Sequence, residues 1–200
     1  MLCRKYRSQR ISLNGFISIL LLTCLVGCKN NSDQNQENSA TSFNLTLAKA
    51  DSSWNLMMKS DDAKLDNMNR LAEELLLIEN CDSASLIQGK EQILGLRKIR
   101  YTKETLGEPG LIDRYDSLTT AAIGLLRAEI NRNKKAGQYQ LIDQLKSEII
   151  TADDSVLFYR KAYDSFASML NEEMQKNKAT SLPAIEGMKN GRLPLFRLIP

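Results

Sequence analysis

Histidine is absent from this 200-residue chain. With it go the commonest general base and metal ligand, the Ser-His-Asp and Cys-His arrangements of nucleophilic catalysis and most zinc sites. Glycine and proline are sparse, at 10 and 4. Neither occurs between Gly27 and Gly89, nor from Gln138 to Lys178. No phosphate-cradling glycine loop and no nucleophile elbow can be found, and nothing reads as a strand. Large excess charge is lacking too, with 27 basic residues against 24 acidic ones. Acidic pairs occur at Asp61-Asp62, Glu73-Glu74, Asp153-Asp154 and Glu172-Glu173. Neighbours on a helix point about 100° apart, so no pair presents both carboxylates to one site. Together these absences predict a protein that is not an enzyme and holds neither metal nor cofactor.

What is present is helical pattern. From Gln138 to Lys178, Ile142, Leu145, Ile149, Ala152, Val156, Tyr159, Tyr163, Phe166 and Leu170 recur at alternating steps of three and four. That is a heptad seam, the mark of a long helix with one narrow apolar stripe that partner helices must cover. A first helix is expected over about Phe43 to Asn80, with Phe43, Leu47, Ala50, Trp54 and Met57 on its seam. The seam resumes at Met68, Leu71, Leu75 and Ile78. Between these runs it falls on Asp61 and Lys64, so either a polar layer crosses the bundle or the helix breaks near Ser60. A second helix should begin at Asp82-Ser83 and carry Leu86, Ile93, Leu96, Ile99 and Leu106 up to the Gly107-Glu108-Pro109-Gly110 turn. A third runs from Leu111 to Ala136, with Leu111, Tyr115, Leu118, Ala122 and Leu125 on its stripe and Gly137 as a left-handed stop. The fold class is therefore all-α, an antiparallel bundle of about four long helices over residues 42–178.

The ends differ from the middle. Arg4, Lys5, Arg7 and Arg10 precede a mostly apolar run from Phe16 to Val26, which closes on Gly27-Cys28. A basic start, a short apolar core and a small residue before the cut site make a signal peptide of residues 1–27. With Cys directly after the small residue, the stretch resembles a bacterial lipoprotein signal, which implies that Cys28 is lipidated (palmitate among its chains) and becomes the N-terminus. Losing Arg4, Lys5, Arg7 and Arg10 leaves 23 basic against 24 acidic residues, a net of −1. The basic balance thus belongs to the leader and gives no footprint for nucleic acid. Residues 28–41 read as the lipidated Cys and a flexible tether, because Asn, Gln and Ser without large apolar side chains cannot offset ordering entropy. Cys81 is then left without an internal disulfide partner and reads as a half-buried helix-end residue. Residues 179–200 hold three of the four prolines and end in an apolar tail from Leu193 to Pro200. That tail either folds back over the bundle or docks on another protein.

The seam of the fourth helix resembles the LemA family of membrane-anchored bacterial helical bundles. Ile149, Val156, Arg160, Tyr163-Asp164 and Leu170-Asn171 occupy that family's spacings, with Trp54, Leu65, Leu71, Leu75 and Leu76 similar to its first helix and Leu125, Leu126 and Glu129 to the end of its third. Asp164 and Leu170 stand where the family carries Asn and Tyr, and the anchor is a lipid rather than a spanning helix. The resemblance implies an extramembrane bundle with proposed links to membrane proteases and signalling, and no reaction.

The sequence leads us to expect an exported protein, lipid-anchored through Cys28 to a bacterial membrane on its periplasmic face or at the cell surface. It would be a non-enzymatic interaction or scaffold module with a protein partner, and no nucleic acid. Candidate contact residues are Arg97, Lys98, Arg100 and Lys103 on the second helix, with Arg160 and Tyr163 from the family motif; a heptad seam also permits pairing between chains. A rival expectation is an envelope binding protein that holds a small ligand or a cation between helices, lined by Asp61, Lys64 and Glu129.

Overall fold

The computed structural model describes residues 30–108, 110–176 and 185–196, with side chains from residue 40 onward. The leader and Cys28 lie outside the described residues. The chain divides into two compact units, Met1–Ser42 and Phe43–Pro200. In the first unit the described residues are helical; all the packing discussed below belongs to the second.

Among the described residues four α-helices follow one another: α1 (Asn30–Leu76), α2 (Ser83–Ile99), α3 (Leu111–Arg132) and α4 (Gln140–Lys176), with a 3-10 turn at Ala136–Gln138 between the last two. The fold is all-α and packs as a helical bundle. The described residues contain no strand beyond an isolated bridge between Lys189 and Arg192. No helix among them is long and apolar enough to cross a membrane.

The expected tether over 28–41 is not coil in its described part, since α1 begins at Asn30. Extending an existing helix fixes one residue per new hydrogen bond, whereas a new nucleus fixes several for one. No Gly or Pro interrupts the stretch. At the other end α1 stops at Leu76 rather than Asn80. Leu77 and Ile78 donate to the carbonyls of Glu74 and Leu75, tightening the last turn, and Asn80 then adopts a φ of 64°. That left-handed residue reverses the chain. Asp82 caps α2 through its side chain, accepting from the Ser85 amide at 3.1 Å and the Ser85 hydroxyl at 2.8 Å.

The core is one continuous stripe system. Phe43, Ala50, Trp54, Met57, Leu65, Met68, Leu71 and Leu75 of α1 meet Leu86, Ile93 and Leu96 of α2, Tyr115, Ala122 and Leu126 of α3, and Ile142, Leu145, Ile149, Val156, Tyr163 and Leu170 of α4. Helices α2 and α3 approach closely at Gly89, where an added Cβ would lie 3.0 Å from Leu125 Cδ2.

Four boundaries or stripes differ from expectation. Helix α2 ends at Ile99, and Arg100 turns to extended geometry with ψ of 140°. The turn that follows drives Tyr101 and Leu106 into the core, burial that a continued helix would forgo. On α3, Leu118 faces solvent while Thr119 is buried, its hydroxyl donating to the Tyr115 carbonyl at 2.9 Å. Helix α3 closes at Arg132, and Gly137 sits in the 3-10 turn instead of acting as a left-handed stop. Along α4 the buried partners of Val156, Tyr163 and Leu170 are Arg160, Ala167 and Met174, one place after the expected Tyr159 and Phe166. A 3.6-residue helix drifts about 20° per heptad against a strict repeat of seven, which carries the stripe from one position to the next.

The C-terminal segment folds back on the bundle. Lys189 and Arg192 exchange backbone hydrogen bonds at 2.8 and 3.0 Å around Asn190 and Gly191, with φ of 51° and 73°. This Asn-Gly pair fits the hairpin turn that needs two left-handed residues. Leu193 and Phe196 are then buried.

Candidate functional site

Two polar clusters and one aromatic cleft lie inside this bundle. The first cluster realises the polar layer that the α1 seam implies. Asp61 and Lys64 are 1% and 3% exposed, and Lys64 Nζ is 3.0 Å from Asp61 Oδ1. The same ammonium donates to Asp153 of α4 at 3.0 Å. Asp61 Oδ2 accepts from Arg100 at 2.9 Å and from the Tyr115 hydroxyl. Arg100 also reaches Asp62 at 2.8 Å. Burial alone pushes the Asp61 carboxyl up, but Lys64 and the Tyr115 and Arg100 hydrogen bonds outweigh it and hold it below its ordinary value. Burial, with the Asp61 charge beside it, drives the Tyr115 phenol up, so the pair is a neutral donor on an ionised acceptor.

The second cluster sits around Arg160 of α4, 2% exposed. Its guanidinium grips both Asp116 oxygens at 2.7 Å, a planar two-pronged pairing. Its Nε and Nη2 donate to the Tyr101 hydroxyl at 3.1 and 2.7 Å. Burial lowers the tendency of Arg160 to stay charged, yet Asp116 and Tyr101 reverse that and raise its affinity for the proton. The Tyr101 phenol is pushed up to about 12, mainly by burial and against the Arg160 charge.

Above Arg160 lies the aromatic cleft. Trp54 of α1, Tyr101 of the α2–α3 turn and Tyr163 of α4 surround the ring of Phe196. Phe196 stacks on Trp54 at 6.0 Å and 23°, and meets Tyr101 and Tyr163 edge-on at 5.4 and 5.8 Å. The Arg160 guanidinium carbon is 5.1 Å from the Phe196 centroid, within cation–π range.

The segment carrying Phe196 is held by its backbone. Asn171 donates from Nδ2 to the Leu193 carbonyl at 2.9 Å and accepts the Leu193 amide at 2.7 Å. One helix side chain thereby imitates a neighbouring strand. Seven residues earlier, Asp164 Oδ1 accepts the Phe196 amide at 2.8 Å. Seven helical residues advance about 10 Å, as do three extended ones. The segment therefore runs antiparallel to α4, with each helical heptad matched to three residues of extended chain.

The predicted contact residues fare differently. Arg97 pairs with Asp66 at 2.8 Å and Asp62 at 3.5 Å, Arg100 with Asp61 and Asp62, and Lys103 with Asp51 at 2.8 Å and Glu186 at 3.4 Å. The basic face expected to meet an outside partner is thus largely taken up by acids of the same chain; Lys98 alone remains exposed with no such pairing among the described residues. Arg160 and Tyr163 are interior residues, not surface ones. The seam residues expected to line a ligand cavity are filled likewise. Besides the Asp61–Lys64 pair, Glu129 accepts from the Asp82 amide at 3.3 Å and contacts Arg132 at 3.0 Å. Among the described residues no group of three or more Cys, Asp or Glu side chains is placed to hold a metal ion. Cys81 is half-buried at the α1–α2 turn, with Asn133 Nδ2 at 3.2 Å from its sulfur.

Sequence reasoning missed Tyr101 and Asp116, which lie on no seam. It quoted Asp164 and Asn171 only as motif positions, although two polar residues a heptad apart beside a buried stripe are a legible sign of a second layer. The outer surface of α4 carries Ile150, Leu157 and Phe158, at 50%, 43% and 65% exposure. Compared with known proteins, the chain matches no family model, no curated protein and no solved structure.

Proposed function

We propose that the chain is an exported, lipid-anchored helical module that acts by contact rather than by catalysis, a LemA-like scaffold at a bacterial cell envelope. The lipoprotein-type leader ending at Gly27-Cys28 supports attachment through Cys28, and the Arg160, Tyr163-Asp164 and Asn171 spacings support the family likeness. One observation carries the reading. Each buried charge is neutralised by its own chain: Asp61 by Lys64 and Arg100, Arg160 by Asp116, Glu129 by Arg132. Acid–base chemistry needs a group free to exchange a proton with a substrate, and these groups face one another. Large apolar side chains meanwhile lie outside on every helix, among them Leu56, Leu94, Leu118 and Phe158, open to a partner surface. The partner is a protein beside the membrane, not nucleic acid, and pairing between copies belongs to the same reading.

The test is Cys28→Ala, followed by membrane fractionation and in-cell crosslinking. Release of the variant from membranes, with loss of the crosslinks formed by the parent, is the expected result. A variant that stays wholly in the membrane fraction refutes the anchor. A parent that yields no crosslinked protein refutes the scaffold.

A further inference from the structure

We infer that the cleft formed by Trp54, Tyr101, Tyr163, Asp164 and Asn171 is a peptide-binding site, occupied in this chain by its own C-terminal segment. Its occupant in trans is an extended peptide with an apolar residue followed three positions later by an aromatic one. The inference rests on reading the chain as an interaction module, and names the chemistry of its partner.

Three observations carry it. First, the hydrogen bonds address peptide groups and not side chains: Asn171 takes both the amide and the carbonyl of Leu193, and Asp164 takes the amide of Phe196. Groups that read backbone accept any extended chain, as an exposed strand edge does. Second, selectivity comes chiefly from two anchors, Leu193 and Phe196, the fully buried side chains of the described segment, with Ile185, Met188 and Leu195 half-buried beside them. Phe196 enters a box of three aromatic rings with a guanidinium 5.1 Å away, the kind of central aromatic pocket that dominates binding. Third, the residues leading to the anchors are held lightly. Lys189, Asn190, Gly191 and Arg192 are exposed, and the ion pairs of that stretch, Lys103–Glu186 and Lys189–Glu108, are 3.4 and 3.9 Å long. Ordering a segment of this length on two buried and three half-buried side chains opposes much of what those contacts contribute, which places it among the first parts of the molecule to open.

The experiment titrates a fluorescein-labelled peptide of sequence Lys-Asn-Gly-Arg-Leu-Pro-Leu-Phe into the purified full chain, followed by anisotropy and by emission of Trp54, the sole tryptophan. The covalently attached tail competes in the parent at high effective concentration. Phe196→Ala, which empties the box, is therefore expected to bind the peptide at least tenfold more tightly than the parent and to quench Trp54. Adding Asn171→Ala to that variant is expected to reverse the gain by tenfold or more. Circular dichroism checks that each variant keeps its helix; should Phe196→Ala lose it, Leu193→Ala takes its place. Loss of helix in both makes the segment part of the core and overturns the inference, as does binding that is absent or indifferent to Asn171. None of these outcomes moves the membrane release of Cys28→Ala, so failure of the peptide site and failure of the anchored-module reading are told apart.

Discussion

Replacing Asp61 with Asn keeps the volume and the acceptor for Tyr115 but removes the anion that Lys64 and Arg100 share. Breaking a buried ion pair from one side costs about 3–5 kcal/mol when the remaining charge has nowhere to turn. Here each cation retains a second acid: Lys64 has Asp153 at 3.0 Å, and Arg100 has Asp62 at 2.8 Å. Both acids are nearly half exposed, so solvent weakens them as substitutes, and the loss works out at roughly 2–4 kcal/mol. For a chain of this size about 1 kcal/mol moves the melting temperature by roughly 2–4 °C, which sets the expected drop at roughly 4–16 °C. Lys64→Met gives the internal comparison. It leaves Asp61 with Arg100 and the Tyr115 hydroxyl, and should cost about 1–2 kcal/mol, since the surviving charge is still compensated. The assay is thermal unfolding followed by far-ultraviolet circular dichroism at neutral pH. An Asp61→Asn variant within ~0.5 kcal/mol of the parent, the range of an ordinary surface change, would refute the argument. So would a Lys64→Met variant less stable than Asp61→Asn.

The same carboxyl sets an acid limb: its folded-state value lies below its ordinary 3.8, so its stabilisation is complete above about pH 5 and is lost as pH falls through and below that value. The stability curves of parent and Asp61→Asn should therefore converge in acid, as denaturant titrations at several pH values would reveal. Tyr101→Phe takes away the hydroxyl that accepts two Arg160 N–H groups, and should lower stability by about 1–3 kcal/mol, measured by urea unfolding. Gly95→Ala meets nothing within 4 Å and should stabilise by roughly 0.5–1 kcal/mol; Gly89→Ala should gain less, because its Cβ would press on Leu125 at 3.0 Å. Gly187→Ala faces a φ of +80° and a Cβ only 2.8 Å from that of Lys103. It should loosen the C-terminal segment, shifting Trp54 emission to the red with helix content unchanged.

The bundle was legible because apolar spacing is a local signal. Trp54, Met57, Met68, Leu71 and Leu75 predict the buried face of α1 by counting alone, whereas Asp61 and Lys64 left a polar layer or a break near Ser60 open, and the unbroken α1 decides for the layer. The capping residue Asp82 was readable from its side chain chemistry. What escaped was set by tertiary geometry. That α2 would stop at Ile99 depends on the core accepting Tyr101, which no window of sequence records. The replacement of Tyr159 and Phe166 by Arg160 and Ala167 on the inner face of α4 follows from slow rotation of a stripe around the helix, visible only once its neighbours are fixed. The charged cluster at the end of α2 and in the turn after it misled for a related reason: Arg97, Arg100 and Lys103 look free until Asp51, Asp62 and Asp66 on α1 are laid beside them. Arg160 and Tyr163 carried a motif that said nothing of burial, and the aromatic cleft joins Trp54 to Phe196 across 142 positions.

The layer of Asp61, Lys64, Arg100 and Asp153 has one more consequence. Oily side chains that recur every seven places are interchangeable, like teeth on a ratchet, and α1 displaced by a heptad along α4 would find grease opposite grease at most levels. At this layer the slip would set Lys64 level with Lys146 or Arg160, like charges, instead of Asp153, and leave the acid behind. The charges serve as a notch on a largely repeating rule. Leucine, methionine and phenylalanine in place of Asp61, Lys64 and Tyr115, which leave no buried hydroxyl unpaired, would then give a chain that melts no earlier but rests in several alignments, with broadened amide resonances as its signature.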